Sequence, residues 1–516
     1  MRPFNAAIAG GLLGLVAETA TTESPMIQYA ELPMNVSRRE FLKAGAGVAA
    51  AWWTGGCAGL ATRTGDNRRQ ARNVARVVMD ESSTVGRAGY FRVGRSRAGR
   101  WWLVTPAGEP FLYRGVCALW MPDNGQGGDA VRFRRHWERA NGKDTEAFVA
   151  HCFGILKDRG FNALGEWSTP QFWDRGWPFT VLVHVRQVRR ESNLTPKIVD
   201  VFDPAWRTAY AARCRETCAP LAGSRDLVGY FVDNEGHWGT ARRDFVWGQD
   251  DGPMIDRNVL GMESLLLQTF LAADPKHPGH QAAWDWVLAR HGGSVARTAG
   301  DWGADFDSPG KLGELTRREL VLASRGYRAD HEAFAAHSVR EYFRVTAEAI
   351  RAHDPNHLLL GPRFGGTPGD EVLRAIDRRH ADVLSWNCYN PGFHRRCAEM
   401  HAATGLPQLN GEFSWASGGF LDWQKLRTRG TFTEEEKQRC ARRGQSVLEE
   451  AFAHPALVGY TWYKFCWNPV AADQPGYGLV DSEGRENTFN TPIFHAVNAR
   501  LDAIARNELK PVALKT

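Results

Sequence analysis

Val228-Gly-Tyr-Phe-Val-Asp-Asn-Glu235 is an apolar run that ends in three polar residues, the last a glutamate. Its length and its Val, Tyr and Phe content predict a buried strand. A carboxylate is costly to bury without a partner, so Glu235 belongs at a strand mouth facing a cleft. Pro407-Gln-Leu-Asn-Gly-Glu-Phe413 repeats the pattern and presents Glu412. Two carboxyl groups delivered by two strands of one sheet are the equipment of glycosidic bond cleavage. Whether they serve it depends on the chain bringing them together.

Strand-like and helix-like segments alternate around these two runs. Phe111–Val116, Phe161–Trp167 and Phe179–Val185 read as the first three strands and Val228–Glu235 as the fourth. Leu358–Phe364, Asp382–Tyr389, Pro407–Phe413 and Val458–Phe465 follow as the fifth to eighth. Between them lie helical patterns, such as Thr145–Arg159 with Phe148, Cys152, Ile155 and Leu156 on one face and Gly160 as its stop. Pro204 opens another helix in the favoured first-turn position. Eight short apolar strands alternating with helices predict an α/β fold, a closed (β/α)8 TIM barrel over residues 111–506. A doubly wound sheet would carry a glycine-rich loop after its first strand, and none is present. Tyr90–Val93 and Arg100–Thr105, separated from the barrel by a Pro-Gly turn, predict a short antiparallel lead-in over 89–110. A long polar, Trp-containing insertion, about 240–330, follows the fourth strand.

The first 57 residues read as an export signal rather than as fold. Ser37-Arg-Arg-Glu-Phe-Leu-Lys43 matches the twin-arginine motif, and Ala44–Trp53 supplies an apolar segment too short to span a bilayer. Thr54-Gly-Gly-Cys57 loosely matches a lipobox, which would make Cys57 the site of a lipid anchor. Met34 is an alternative start, and residues 58–88 read as a linker. These features predict a periplasmic, cell-surface or extracellular protein. A net charge of +6 on 516 residues, with Lys and Arg scattered, argues against a nucleic-acid partner. Cys214-x-x-x-Cys218 has helical spacing without a second pair, and no His/Asp/Glu ligand cluster stands out, so neither metal nor cofactor is expected.

In a barrel of this kind the site lies where the strands end. The strand ends here carry Glu166 and Trp167, Asn234 and Glu235, Arg363, Trp386 and Tyr389, Glu412 and Trp415, and Trp462, with Trp238 just beyond the fourth strand. The aromatic residues suit a sugar, whose C–H face stacks on an indole while its rim bonds polar groups. Arg363 has two readings, a partner that keeps Glu412 ionised or a substrate ligand. Glu166 also has two, a structural partner of an arginine or a sugar ligand.

The order Asn-Glu on the fourth strand and Glu on the seventh resembles glycoside hydrolase clan A. The stretches Gly99–Pro106, Gly229–Glu235, Leu360–Phe364, Asp382–Tyr389, Gly411–Phe413 and Gly459–Trp462 are most similar to family 50, the β-agarases. The resemblance implies a retaining glycosidase acting on a galactan-type polysaccharide such as agarose. Glu412 would be its nucleophile and Glu235 its acid/base. It further implies that Asn234 bonds the 2-hydroxyl of the reacting sugar, Tyr389 orients Glu412, and Trp462 floors the cleaved subsite. Another clan member of the β-galactosidase or β-mannanase type, or a non-catalytic carbohydrate-binding protein, are the competing expectations. After Gly-Glu-Phe413 this chain reads Ser414-Trp-Ala, where the family more often carries an imidazole.

Overall fold

The structure is a computed structural model that describes residues 77–121, 128–238, 266–307, 324–415, 420, 433–467, 477–487 and 490–512. All belong to one compact unit spanning 71–516. The export motif, Cys57, most of the expected linker and much of the insertion about 240–330 lie outside the described residues.

The chain begins with four antiparallel strands, β1 (Met79–Val85), β2 (Arg92–Ser96), β3 (Trp101–Val104) and β4 (Pro110–Phe111), hydrogen-bonded in that order. Then β5 (Tyr113–Val116) leads through α1 (Gly128–Asn141) and α2 (Thr145–Asp158) to β6 (Ala163–Leu164) and β7 (Phe179–Leu182). Asp144 caps α2 by accepting from the amides of Glu146 and Ala147. A small hairpin, β8 (Asn193–Thr195) and β9 (Ile198–Val199), precedes α3 (Pro204–Cys218) and β10 (Leu227–Phe231). Next come α4 (Leu266–Leu271), α5 (Pro278–Arg290), α6 (Val295–Trp302) and the long α7 (Arg325–Arg351). The remainder is β11 (Leu358–Leu359), α8 (Asp370–Ala375), β12 (Leu384–Cys388), α9 (Phe393–Thr404), β13 (Gln408–Phe413), α10 (Glu434–Ala453), β14 (Leu457–Trp462) and α11 (Thr491–Ala505). A reciprocal Thr433/Glu436 capping box starts α10.

Eight of the strands form one parallel sheet in the order β11-β10-β7-β6-β5-β14-β13-β12. The expectation of a closed (β/α)8 barrel is corrected here. The terminal strands β11 and β12 share no ladder; their ends meet through an isolated bridge between Phe364 and Trp386 and through the Asp382 and Val383 amides, which donate to the Leu359 carbonyl. The fold fits a TIM-like domain only loosely, with antiparallel sheets beside the main one. The physical reason lies after β11. Gly361 takes φ +76, Pro362 has no amide hydrogen to give, and Arg363 takes φ +51, so the chain leaves extended geometry after two residues.

Two apolar clusters hold the unit together. In the smaller, Phe91, Val93, Trp101 and Leu103 pack against Tyr113, Ala163, Val228, Leu358, Leu409 and Val458, side chains early in the parallel strands. The larger fills the space between sheet and helices. With one end of the sheet covered by the antiparallel layer, the polar residues gather at the other, where the strands finish. All eight described cysteines are buried thiols, which fits packing side chains rather than cross-links.

Candidate active site

After β10 the chain runs Asp233-Asn234-Glu235. Asp233 is buried and accepts from Arg186 Nε at 2.9 Å and from the Asn234 amide at 2.8 Å, while Arg186 also donates to the Asn234 carbonyl. This ion pair pins the backbone one step before Glu235. Glu235 itself sits at φ +54, and its amide donates to the Arg363 carbonyl at 3.1 Å. A left-handed conformation at a non-glycine residue costs on the order of 1–3 kcal/mol and persists only where its surroundings enforce it. Gly365 is one of those surroundings: a Cβ there would lie 3.2 Å from Glu235 Cβ. Ala118, Trp167 and Arg363, each following a parallel strand, also take positive φ. Backbone strain therefore concentrates at the strand ends.

Glu412 reaches the same place by a different device. The register of β12 with β13 shifts between Trp386/Asn410 and Asn387/Glu412, so Gly411 is an extra residue in its strand. This bulge re-aims the strand end, putting Glu412 among polar groups while Phe413 packs with Phe393 and Trp462 on the helix side. Glu412 Oε1 accepts from Arg363 Nη2 at 2.8 Å, and Oε2 accepts from the Tyr389 hydroxyl. Arg363 is fully buried, its Nη2 also donates to the Gly411 carbonyl at 3.0 Å, and its guanidinium lies 4.6 Å over the Trp167 ring. A Cβ on residue 411 would come within 2.7 Å of Arg363 Nε, so only glycine admits the guanidinium. Burial pushes the Glu412 carboxyl up to about 7, and neighbouring Glu235 adds to the rise; Arg363 and the Tyr389 hydroxyl oppose it.

Asn387 connects the two carboxyl groups. It is the Cα partner of Glu412 across the ladder, and its Nδ2 donates to Glu235 Oε1 at 3.0 Å and to Asn234 Oδ1 at 3.1 Å. Reading the sequence did not select it, although the signal was present. Strand side chains alternate, so Tyr389 facing the site implies Asn387 and Ser385 on the same face and Trp386 on the other.

The structure thus gathers Glu235, Glu412, Asn234, Tyr389, Arg363, Trp167 and Glu166. It places the remaining tryptophans elsewhere, and their selection is corrected. Trp386 is fully buried toward α9, donating to Gln408 Oε1 at 3.0 Å and meeting Phe393 edge-on. Trp415 stacks on Phe494, donates to Asn490 Oδ1 at 2.7 Å, and fits against Gly444 of α10. Trp462 lies 4.5 Å from Trp415 between ring centroids and donates to the Tyr477 carbonyl. Trp238 packs on Phe364 and Tyr342, and lines a cavity of about 30 Å³ beside Asp233. Each is a core residue because the strand or turn carrying it turns that side chain toward the helices.

The aromatic side chains near the carboxyl pair are others. Tyr463, the residue after Trp462, points the opposite way and meets Trp167 and Tyr389 edge-on, both at 6.1 Å. Tyr477 meets Tyr389, Tyr463 and Trp467, and Lys464 Nζ lies 4.3 Å over the Trp467 ring. Burial lowers Lys464 to about 8. Tyr463 and Tyr477 are half-buried, as a surface that stacks on a ligand must be. Glu166 is 3% exposed, and burial pushes it up to about 7 against the pull of Arg363. The arrangement offers one buried carboxyl clamped at both oxygens, a second half-buried carboxyl bonded by the Asn387 amide, and an aromatic rim.

No family model matches the chain. It is 27% identical over 343 residues to β-agarase A of Vibrio sp. (strain JT0107), an alignment covering 61% of this chain and 31% of that protein. β-Agarase B of the same strain is 24% identical over 332 residues, covering 61% and 32%. The chain therefore spans about a third of the length of the curated relatives it matches. The structure of an exo-β-agarase superposes with a TM-score of 0.63 at 20% identity, covering 82% of this chain and 66% of that one. At such identity the likeness concerns the fold alone: over most of its length this chain is folded like an exo-β-agarase.

Proposed function

We propose that this chain is a glycosidase that hydrolyses β-linkages of a galactan-type polysaccharide such as agarose with retention of configuration. The observation that carries the reading is the clamping of Glu412 at both oxygens, by Arg363 and Tyr389, while Asn387 ties Glu235 to the neighbouring strand position. The similarity to two β-agarases supports the substrate class. Within that reading the chain resembles clan A at its catalytic pair and family 50 in its flanking strings.

Glu412, as the carboxylate, attacks the anomeric carbon while Glu235 gives its proton to the departing oxygen. A glycosyl ester forms on Glu412. Glu235, now a carboxylate, takes a proton from water as that water attacks the same carbon, and both side chains return to their starting forms. Arg363 and Tyr389 leave Glu412 no freedom to rotate, which holds its attacking oxygen in place. Asn234, sharing the Asn387 amide with Glu235, bonds the 2-hydroxyl of the reacting sugar. The aromatic floor is Tyr463 with Trp167, the half-buried rings that stand beside the pair.

The polysaccharide is the partner in this reading. Export rests on the Ser37–Lys43 motif, and with it the division into a signal over 1–57, a linker and a catalytic unit. The test is incubation of the purified protein with agarose, porphyran, galactan and mannan, with the released sugars and their anomeric configuration resolved. Release of β-configured galactan fragments by wild type and none by Glu412→Gln is expected. Full turnover by the folded Glu412→Gln variant would remove the nucleophile assignment.

A further inference from the structure

Among the described residues Arg363 is the cation paired with Glu412, and a second buried carboxyl lies within its field. Glu166, which follows β6, is 3% exposed, and its Oε1 has no hydrogen-bond partner. On Arg363, Nη2 serves Glu412 and the Gly411 carbonyl, while Nε and Nη1 have no hydrogen-bond partner. The guanidinium lies over Trp167, the residue next to Glu166. Glu166 and Arg363 attract each other, and Glu166 and Glu412 repel. Tyr113 and Cys117 of the first parallel strand and its exit, and the Thr180 hydroxyl of β7, complete the surroundings of Glu166. Glu412 faces, in addition, Glu235, Tyr389 and Tyr477.

We propose that Glu166 is a positioning residue for the nucleophile, a second carboxyl set against Arg363 that shares the guanidinium charge with Glu412, and not a sugar ligand. This rests on reading Glu412 as the nucleophile. One guanidinium cannot neutralise two buried carboxylates, and Glu235 stands close by with a third carboxyl. The cluster therefore keeps a proton that is divided between Glu166 and Glu412. When Glu166 holds it, the whole charge of Arg363 bears on Glu412, and the nucleophile is ionised and oriented. When Glu412 holds it, the site is inert. Burial raises both carboxyl groups to about 7, which puts this division near neutral pH.

The test is Glu166→Gln in the full chain, which keeps the shape and removes the ionisation. The pH profile of kcat/KM on the cleaved polysaccharide should lose its shared step, its acid limb moving down by about one pH unit, with KM changed less than about two-fold. A limb that stays in place would overturn the proposal; joined to a rise in KM of about tenfold or more it would make Glu166 a sugar ligand, and joined only to a lower melting temperature a packing residue. A second measurement does not depend on turnover. In protein labelled with 13C at the glutamate carboxyl, with Glu412 assigned through Glu412→Gln, the titration midpoint of Glu412 should fall in Glu166→Gln. An unmoved midpoint in an active enzyme rejects the charge sharing. A lowered midpoint in a protein that cleaves no polysaccharide upholds the charge sharing and rejects the function proposed above.

Discussion

Asn387 donates to Glu235 across 3.0 Å although 152 residues separate them, and the same Asn387 stands opposite Glu412 in the ladder between β12 and β13. One amide thus ties the end of the fourth parallel strand in the chain to β12, the neighbour of the strand that carries the clamped carboxyl. Because Asn387 is almost fully buried, its geometry is set by packing and not by solvent.

Removing that amide should disorder Glu235 and Asn234 together. Asn387→Ala is expected to lower kcat on polysaccharide by roughly 10²-fold, since positioning of a catalytic group by even a modest distance matters on this scale. Steady-state kinetics with a thermal melt would check it. A tenfold or smaller loss at unchanged melting temperature would show that Glu235 needs no such tie.

Glu235→Ala should distinguish substrates by their leaving group. An aryl glycoside that departs as a stable phenolate needs no proton, so its rate of glycosyl-enzyme formation should fall far less than that of a polysaccharide, by about 10²-fold less. Pre-steady-state release of the phenol measures that step directly. Equal losses on both substrates would argue against an acid role.

Arg363→Met should leave Glu412 buried without its cation. Breaking such a pair costs about 3–5 kcal/mol when the remaining group is charged. The sign with pH follows from the raised Glu412 carboxyl, which is about 7 in the folded chain. A folded value above the unfolded one stabilises the protonated state, so that contribution is present at low pH and is lost as pH rises through about 7. The variant should therefore resemble wild type in denaturant midpoint under acid conditions and fall behind it in alkaline ones. A deficit independent of pH would mean that Arg363 matters for packing alone.

Trp462→Ala and Tyr463→Ala should separate two adjacent aromatic residues by their orientation. Trp462 is fully buried against Trp415 and Phe494, so truncation should cost about 3–5 kcal/mol in stability. Tyr463 is half-buried beside Trp167 and Tyr389, so its loss should raise KM with little change in melting temperature. Opposite outcomes would return Trp462 to the sugar surface.

The carboxyl pair was legible in the sequence because a charged residue at the end of an apolar run has few places to go. Arg363, Tyr389 and Asn234, polar residues at strand ends, stand beside the pair. The same logic did not find Asn387, whose place depends on counting alternation back from Tyr389, or Tyr463, whose side chain takes the face opposite to Trp462 by the same alternation. Tyr477 and Trp467 lie beyond the last strand, where no periodicity marks which side chains return to the site. The tryptophans at 386, 415 and 462 were chosen for their position along the chain, but position along a strand does not say which face a side chain takes.

Chain order, the parallel strands and the place of Glu235 and Glu412 at strand ends were determined by sequence alone, because apolar runs must be buried and charges must end them. Tertiary structure decided three other matters. The two ends of the sheet meet without a ladder, because Gly361-Pro362-Arg363 leaves extended geometry too soon for one. Glu412 turns to the polar side because Gly411 forms a bulge. And Arg363 meets Glu412 across 49 residues of chain, a contact between the exits of β11 and β13, strands that share no ladder, since local preferences carry no information about which distant charge will arrive.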